Sequence, residues 1–180
     1  MLRPCLSLLA VVLAGTLAGC STGSTKSPEV SDKIRASLDE AGFKKVSASQ
    51  DRDKGVVTLS GNVASDSEKA HADSIARSIA GSQVVSNQIA VIPPGAERDA
   101  KTVNADLDKG IESNLNAALI QAKLHDSIKY AVKNHVVTLS GEVDSQSKRA
   151  RAEEVAAAVL NVQQVVNELQ VKRQKATSSM

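Results

Sequence analysis

The chain has 180 residues, 42% apolar and 23% charged, with two cysteines, one Tyr, one Phe and no Trp. Two cysteines exclude a disulfide framework and a four-cysteine zinc site, and evenly spread hydrophobicity excludes a polytopic membrane protein. Scarce aromatics argue against nucleic-acid binding by base stacking, and a formal charge of +2 names no partner by itself.

Residues 1–19 read as a lipoprotein signal peptide. Met1-Leu2-Arg3 is a short basic start, and Cys5 to Ala18 is an uncharged apolar run too short for the roughly 20 residues of a spanning helix. The run closes on Leu17-Ala18-Gly19-Cys20, which resembles the bacterial lipobox and so implies a lipidated Cys20 at the mature N-terminus. Cys5 then leaves with the signal, and no free thiol remains. Several acyl chains, at about 0.8 kcal/mol per buried CH₂, make such an anchor permanent. Ser21 stands where the inner-membrane retention signal of these lipoproteins has Asp. That implies an outer-membrane anchor facing the periplasm; without lipidation the chain would be soluble in the periplasm. Residues 20–28 are the lipidated cysteine and a polar tether with an end-to-end distance of about 15 Å.

A repeat organises the rest. Val56-Val57-Thr58-Leu59-Ser60-Gly61 recurs as Val136-Val137-Thr138-Leu139-Ser140-Gly141, and the offset of 80 carries on without gaps to Val91 and Val171, with 16 identities in 36 positions. Upstream, Val30, Ile34, Leu38 and Ala41 match Leu107, Ile111, Leu115 and Ala118 at an offset of 77. Two copies of one unit follow, over 29–92 and 106–171, with a polar linker at 93–105.

In the first copy, Val30, Ile34, Leu38 and Ala41 predict a helix opened by Ser27-Pro28 and closed by Gly42. Alternation at Val46-Ser47-Ala48 and turn residues at 51–55 predict a hairpin into a strand from Val56 to Val63, broken at Gly61. In the second copy Ile128, Tyr130 and Val132 alternate, and Lys133-Asn134-His135 makes a shorter turn. Ser65-Asp66-Ser67-Glu68 reads as a capping box for a helix burying Ala72, Ile75, Ala76 and Ile79; Ser145 caps its counterpart, with Lys148 in place of Glu. A last strand runs through Val85, Asn87, Ile89 and Val91, and through Val165, Asn167, Leu169 and Val171. The fold class is α+β: two tandem α-β-β-α-β domains, each a small three-stranded mixed sheet packed by two helices. Units of about 65 residues are marginal alone, so the two are expected to pack together.

Val57-Thr58-Leu59-Ser60-Gly61-Asn62-Val63 and its second copy, with the Ser-capped helix and the x-Val-x-Asn-x-Leu/Ile-x-Val strand, resemble the BON (bacterial OsmY and nodulation) domain. Gly81 keeps the family's glycine before the last strand; Asn161-Val162 replaces it in the second copy, where Asn tolerates a left-handed conformation. A lipobox followed by two such domains resembles dual-BON outer-membrane lipoproteins. The resemblance implies envelope-located modules that interact with phospholipid and support barrier integrity under stress.

Charge bears on that implication. Val30 to Ile92 carries eight basic and eight acidic residues, and Asp106 to Val171 seven and nine. Contact with anionic headgroups therefore needs a local patch, and the candidates are Lys148, Arg149 and Arg151 at the second helix of copy two with Lys172, Arg173 and Lys175 in the basic tail, 172–180. Each contributes about 1 kcal/mol near an anionic surface. The competing reading makes them a solvated helix face and a tail. His71, His125 and His135 form no metal or catalytic pair, and Ser60 and Ser140 lack a nucleophile elbow. The expectation is a non-enzyme with no cofactor, no metal and no nucleic-acid partner. The alternative is a protein-interaction module docking another envelope protein, with the anchor only localising it.

Overall fold

The computed structural model describes residues 26–172. The expected leader, Cys20, Arg173 and Lys175 lie outside them.

Repeat 1 runs α1 (Ser31–Glu40), β1 (Val46–Asp51), β2 (Val56–Val63), α2 (Asp66–Ala80), β3 (Val84–Asn87) and β4 (Ala90–Val91). Repeat 2 runs α3 (Glu97–Gln121), a 3₁₀ turn (His125–Ser127), β5 (Ile128–Lys133), β6 (Val136–Val143), α4 (Gln146–Ala157), β7 (Gln164–Asn167) and β8 (Gln170–Val171). In each, the middle strand pairs antiparallel with its hairpin partner and parallel with the strands after the second helix. The expected α+β tandem is the architecture found.

One face of each sheet is covered by two helices. Ile34 and Leu38 of α1, Val57 and Leu59 of β2, and Ala72 and Ala76 of α2 are fully buried; Leu115, Leu119, Val137, Leu139, Ala152 and Ala156 repeat the arrangement. Ile75 and Ile79 are only partly buried, and the alanines carry the inner stripe, letting helix and sheet approach closely. A fully buried Leu or Ile contributes about 1.5–3 kcal/mol, so these few large side chains dominate two small cores.

Four local expectations change. Structural equivalence of the first helices is one turn off the offset of 77. Phe43 N donates to Leu38 O and Leu124 N to Leu119 O, so Leu38 matches Leu119 rather than Leu115. An apolar stripe repeats every turn, and pattern alone cannot distinguish a slip of four residues. Ser27-Pro28 does not cap α1: Val30 is the N-cap, Glu29 Oε1 accepts from Ser31 N at 2.9 Å, and Ser27 N donates to Arg52 O. Gly61 does not break β2, which spans Val56–Val63 as read. It allows a φ of +114° where a Cβ would collide with the Lys45 carbonyl, and Gly141 does the same against Ser127 O. Finally, the stretch 93–105 is helical from Glu97, because nothing after Pro94-Gly95 breaks the helix. Ala100, Asn104, Leu107 and Asp108, at helical spacing, form its less exposed side.

The final strand is two pieces for a reason that both repeats share. Asn87 Oδ1 accepts from Ile89 N at 3.3 Å and Asn167 Oδ1 from Leu169 N at 3.2 Å, local turns that interrupt the ladder. The same amides donate to Lys69 O and Arg149 O, tying strand to helix. Gly81 and Asn161 both adopt positive φ, 64° and 68°.

Candidate functional site

The basic candidates are built into repeat 2 unequally. Ser145 Oγ accepts from Lys148 N at 3.2 Å and starts α4, which places Lys148 and Arg151 three residues apart on an exposed face. Lys148 Nζ lies 2.7 Å from Asp144 Oδ2, and that hydrogen bond holds the Asp144 carboxyl below its ordinary range, with Lys148 and Lys172 adding Coulombic support. Arg151 Nη1 pairs with Glu154 Oε2 at 2.9 Å. Arg149 turns inward: Nε donates to Leu169 O and Nη2 to Asn167 O, both at 3.0 Å. Its guanidinium closes the β7–β8 break and is a structural group. Lys172 is exposed at the end of β8. The structure therefore brings Lys148 and Lys172 together around Asp144, leaves Arg151 with its own carboxylate, and half-buries Arg149 against two strand-end carbonyls.

A second cluster, at the junction of the repeats, escaped the sequence reading. Gln164, first in β7, donates Nε2 to Val85 O at 2.6 Å and accepts from Asn87 N at 3.0 Å. That amide takes the place of a neighbouring strand on the outer edge of β3. Lys54 Nζ lies 2.7 Å from Glu168 Oε2, and Asn134 Nδ2 donates to Gln88 O at 2.7 Å. Val56, Val136 and Val166 form a small buried cluster between the repeats.

The electrostatics of the junction follow from burial. The Glu168 hydrogen bond raises the Lys54 amine above its usual pKa, against a smaller desolvation cost. Lys69 Nζ reaches Gln163 Oε1 at 3.0 Å, and burial pushes its pKa down, partly offset by Asp66, Asp73 and Asp108. Asp108 accepts from Asn134 N and His135 N at 2.8 and 2.9 Å, bracing a two-residue turn whose φ values, 48° and 66°, suit a tight hairpin. A cleft of about 280 Å³ opens here beside Lys69, Asp73 and Gln163. No sequence signal marked these residues as a group, since the Lys54–Glu168, Lys69–Gln163, Gln164–β3 and Asn134–Gln88 contacts cross between repeats.

A larger cavity, about 440 Å³, lies at the far end of repeat 1, with Phe43, Val63, Ile92 and Pro94 as apolar walls and Lys45 and Glu97 at its rim. Phe43 meets His71 edge-on, ring centroids 5.4 Å apart. Ser60 Oγ lies 2.9 Å from Ser47 Oγ across the hairpin, a strand-pair contact without a base. Among the described residues no group of three His, Cys, Asp or Glu side chains is arranged to hold a metal ion, and no helix is long and apolar enough to cross a membrane.

Two sheets of this topology, with duplicated Leu-Ser-Gly strands and Asn turns, define the unit by which the chain is classified. The BON domain family model matches residues 27–93 and again 107–173, and the chain belongs to that family as a tandem pair. It is 34% identical over 149 residues to osmotically-inducible protein Y of Escherichia coli (strain K12), spanning 79% of this chain and 71% of that protein. It is 39% identical over 70 residues to an uncharacterized protein in the gshII 5′ region of Anaplasma centrale, covering 39% of this chain and 46% of that one. Among solved structures, the C-terminal domain of CdsD, a structural protein of the type III secretion system of Chlamydia trachomatis, aligns over 80% of this chain and 66% of its own at 13% identity and a TM-score of 0.33.

Proposed function

We propose that the protein is a non-enzymatic component of the bacterial cell envelope, anchored in the outer membrane through lipid on Cys20 and facing the periplasm. Its BON domains contact anionic phospholipid headgroups and help maintain the membrane barrier under stress. The observation that carries the reading is a tandem of BON domains following a leader that ends in Leu17-Ala18-Gly19-Cys20. The likeness to an osmotically inducible protein supports the stress role.

The ion pairs of the described surface refine which cations serve. Arg149 is committed to carbonyls, and Lys148 and Arg151 each face a carboxylate. The excess positive charge lies in Lys172, Arg173 and Lys175.

The test is fractionation of wild type beside Cys20→Ala, with sedimentation of the unlipidated protein on phosphatidylglycerol vesicles. The reading expects Cys20→Ala to move to the soluble periplasm, and Lys172→Glu/Arg173→Glu/Lys175→Glu to weaken sedimentation more than Lys148→Glu/Arg151→Glu. Identical fractionation of both forms rejects the anchor. No vesicle binding at low salt rejects the lipid contact and favours the alternative, a module that docks an envelope protein.

A further inference from the structure

The way the repeats meet decides which surfaces share an end of the molecule. In each repeat the middle strand starts at the hairpin turn and finishes beside the start of the second helix. Lys54, in the turn before β2, binds Glu168, just past β7; Asn134, in the turn before β6, binds Gln88, just past β3. Positions 54 and 134, and 88 and 168, are equivalent at the offset of 80. The two contacts are therefore one contact repeated about an approximate two-fold axis, and β3 and β7 run in opposite directions. The turn end of repeat 1 consequently lies on the same side as the far end of repeat 2.

Both ends of the described segment, Lys26 and Lys172, lie on that side. Lys26 pairs with Asp53 at 3.5 Å, Ser27 N donates to Arg52 O at 2.9 Å and Arg52 Nε to Ser27 O at 2.8 Å, so the chain enters along the turn of repeat 1. Lys172 N donates to Val143 O, at the last residue of β6, at 2.8 Å, so the chain departs from the far end of repeat 2.

We infer that this shared end is the face that meets the phospholipid headgroups, an inference that rests on the anchored reading above. Six residue steps separate Cys20 from Lys26, about 20 Å fully extended. The eight residues of β2 alone rise about 26 Å. An anchor at Cys20 thus holds the turn end within about 20 Å of the surface, and with the strands upright the far end of repeat 1 stands about 26 Å further out. Lys172 lies at this end, on the same carboxylate, Asp144, as Lys148. The cavity beside Phe43 and Glu97 faces the aqueous side, available to a different partner.

The test is depth-dependent quenching on the lipidated protein, reconstituted in vesicles of phosphatidylethanolamine and phosphatidylglycerol carrying a headgroup quencher. With Cys20 acylated, Ser147→Cys, Gln170→Cys or Lys44→Cys supplies a single thiol for a fluorophore, and all three positions are exposed. Quenching at Ser147→Cys and Gln170→Cys is expected to exceed that at Lys44→Cys severalfold. Equal quenching, or more at Lys44→Cys, in protein that still floats with the vesicles overturns the orientation and leaves the anchor standing. Failure of the unlabelled protein to float overturns both.

Discussion

Replacing Gln164 with leucine tests whether the two repeats form one cooperative unit. The side chain is similar in size but loses both hydrogen bonds to β3, stranding the Val85 carbonyl and the Asn87 N–H. Val85 is 1% exposed and Asn87 7%, so water reaches neither group easily in the closed junction. Each stranded backbone group costs about 1–3 kcal/mol. Leucine recovers about 1 kcal/mol through apolar contact, leaving a net loss of roughly 1–5 kcal/mol. Urea unfolding of the Cys20→Ala protein, followed by circular dichroism and by fluorescence of Tyr130, measures it, since the single tyrosine lies in repeat 2 and reports on that repeat alone. The wild type should give coincident transitions. Gln164→Leu should shift the midpoint down and separate the two probes. Val84, its counterpart in repeat 1, is 46% exposed, and Val84→Gln should change stability by less than about 0.5 kcal/mol. Coincident, unshifted curves for Gln164→Leu, or equal losses for both variants, would refute the edge-capping account.

Gly61→Ala should be among the most damaging single changes, costing about 3–5 kcal/mol from positive φ and collision with backbone, while Gly141→Ala, 2.7 Å from Ser127 O, should cost less; thermal melts rank them. Glu168→Gln should lose about 1 kcal/mol at neutral pH, discounted because Lys54 is 42% exposed. Since the folded Lys54 pKa is raised, that contribution is complete below the unfolded lysine pKa near 10.4 and fades as pH climbs through the folded value, so wild type and variant should converge in strong alkali. Lys69 has the opposite sign. Its depressed pKa means that the charged amine opposes folding at neutral pH, so Lys69→Met should melt at the same or a higher temperature, with the difference narrowing as pH passes 10. Arg149→Ala should destabilise repeat 2 by about 2 kcal/mol, read by the Tyr130 probe, because two strand-end carbonyls lose a charged donor.

The duplicated Leu-Ser-Gly strands and alanine-striped helices were legible because local periodicity and capping follow from short windows of sequence, and the Ser65 and Ser145 caps form as read. The slip from Leu115 to Leu119 was not, since a helical stripe looks the same one turn along. Nor was the duplicated Asn turn, whose residues fit a continuous strand until the side-chain amide captures the backbone two residues on. Lys148, Arg149 and Arg151 looked alike in a charge count, but Arg149 points inward to carbonyls contributed twenty and eighteen residues away. The junction was least legible: Gln164 and Lys54 are ordinary surface residues until the repeats are placed against each other.

A duplicated chain risks pairing like with like between molecules, because identical units can exchange partners. The junction guards against this through the positions where the copies diverge. Two first repeats would oppose Val84 to a bare strand edge and Lys54 to an uncharged Gln88; two second repeats would oppose Glu168 to Asn134. Only the mixed pair unites the Gln164 amide, the β3 edge and the Lys54–Glu168 bridge. Divergence between the copies thus encodes a preference for the unlike repeat over a second copy of the same one.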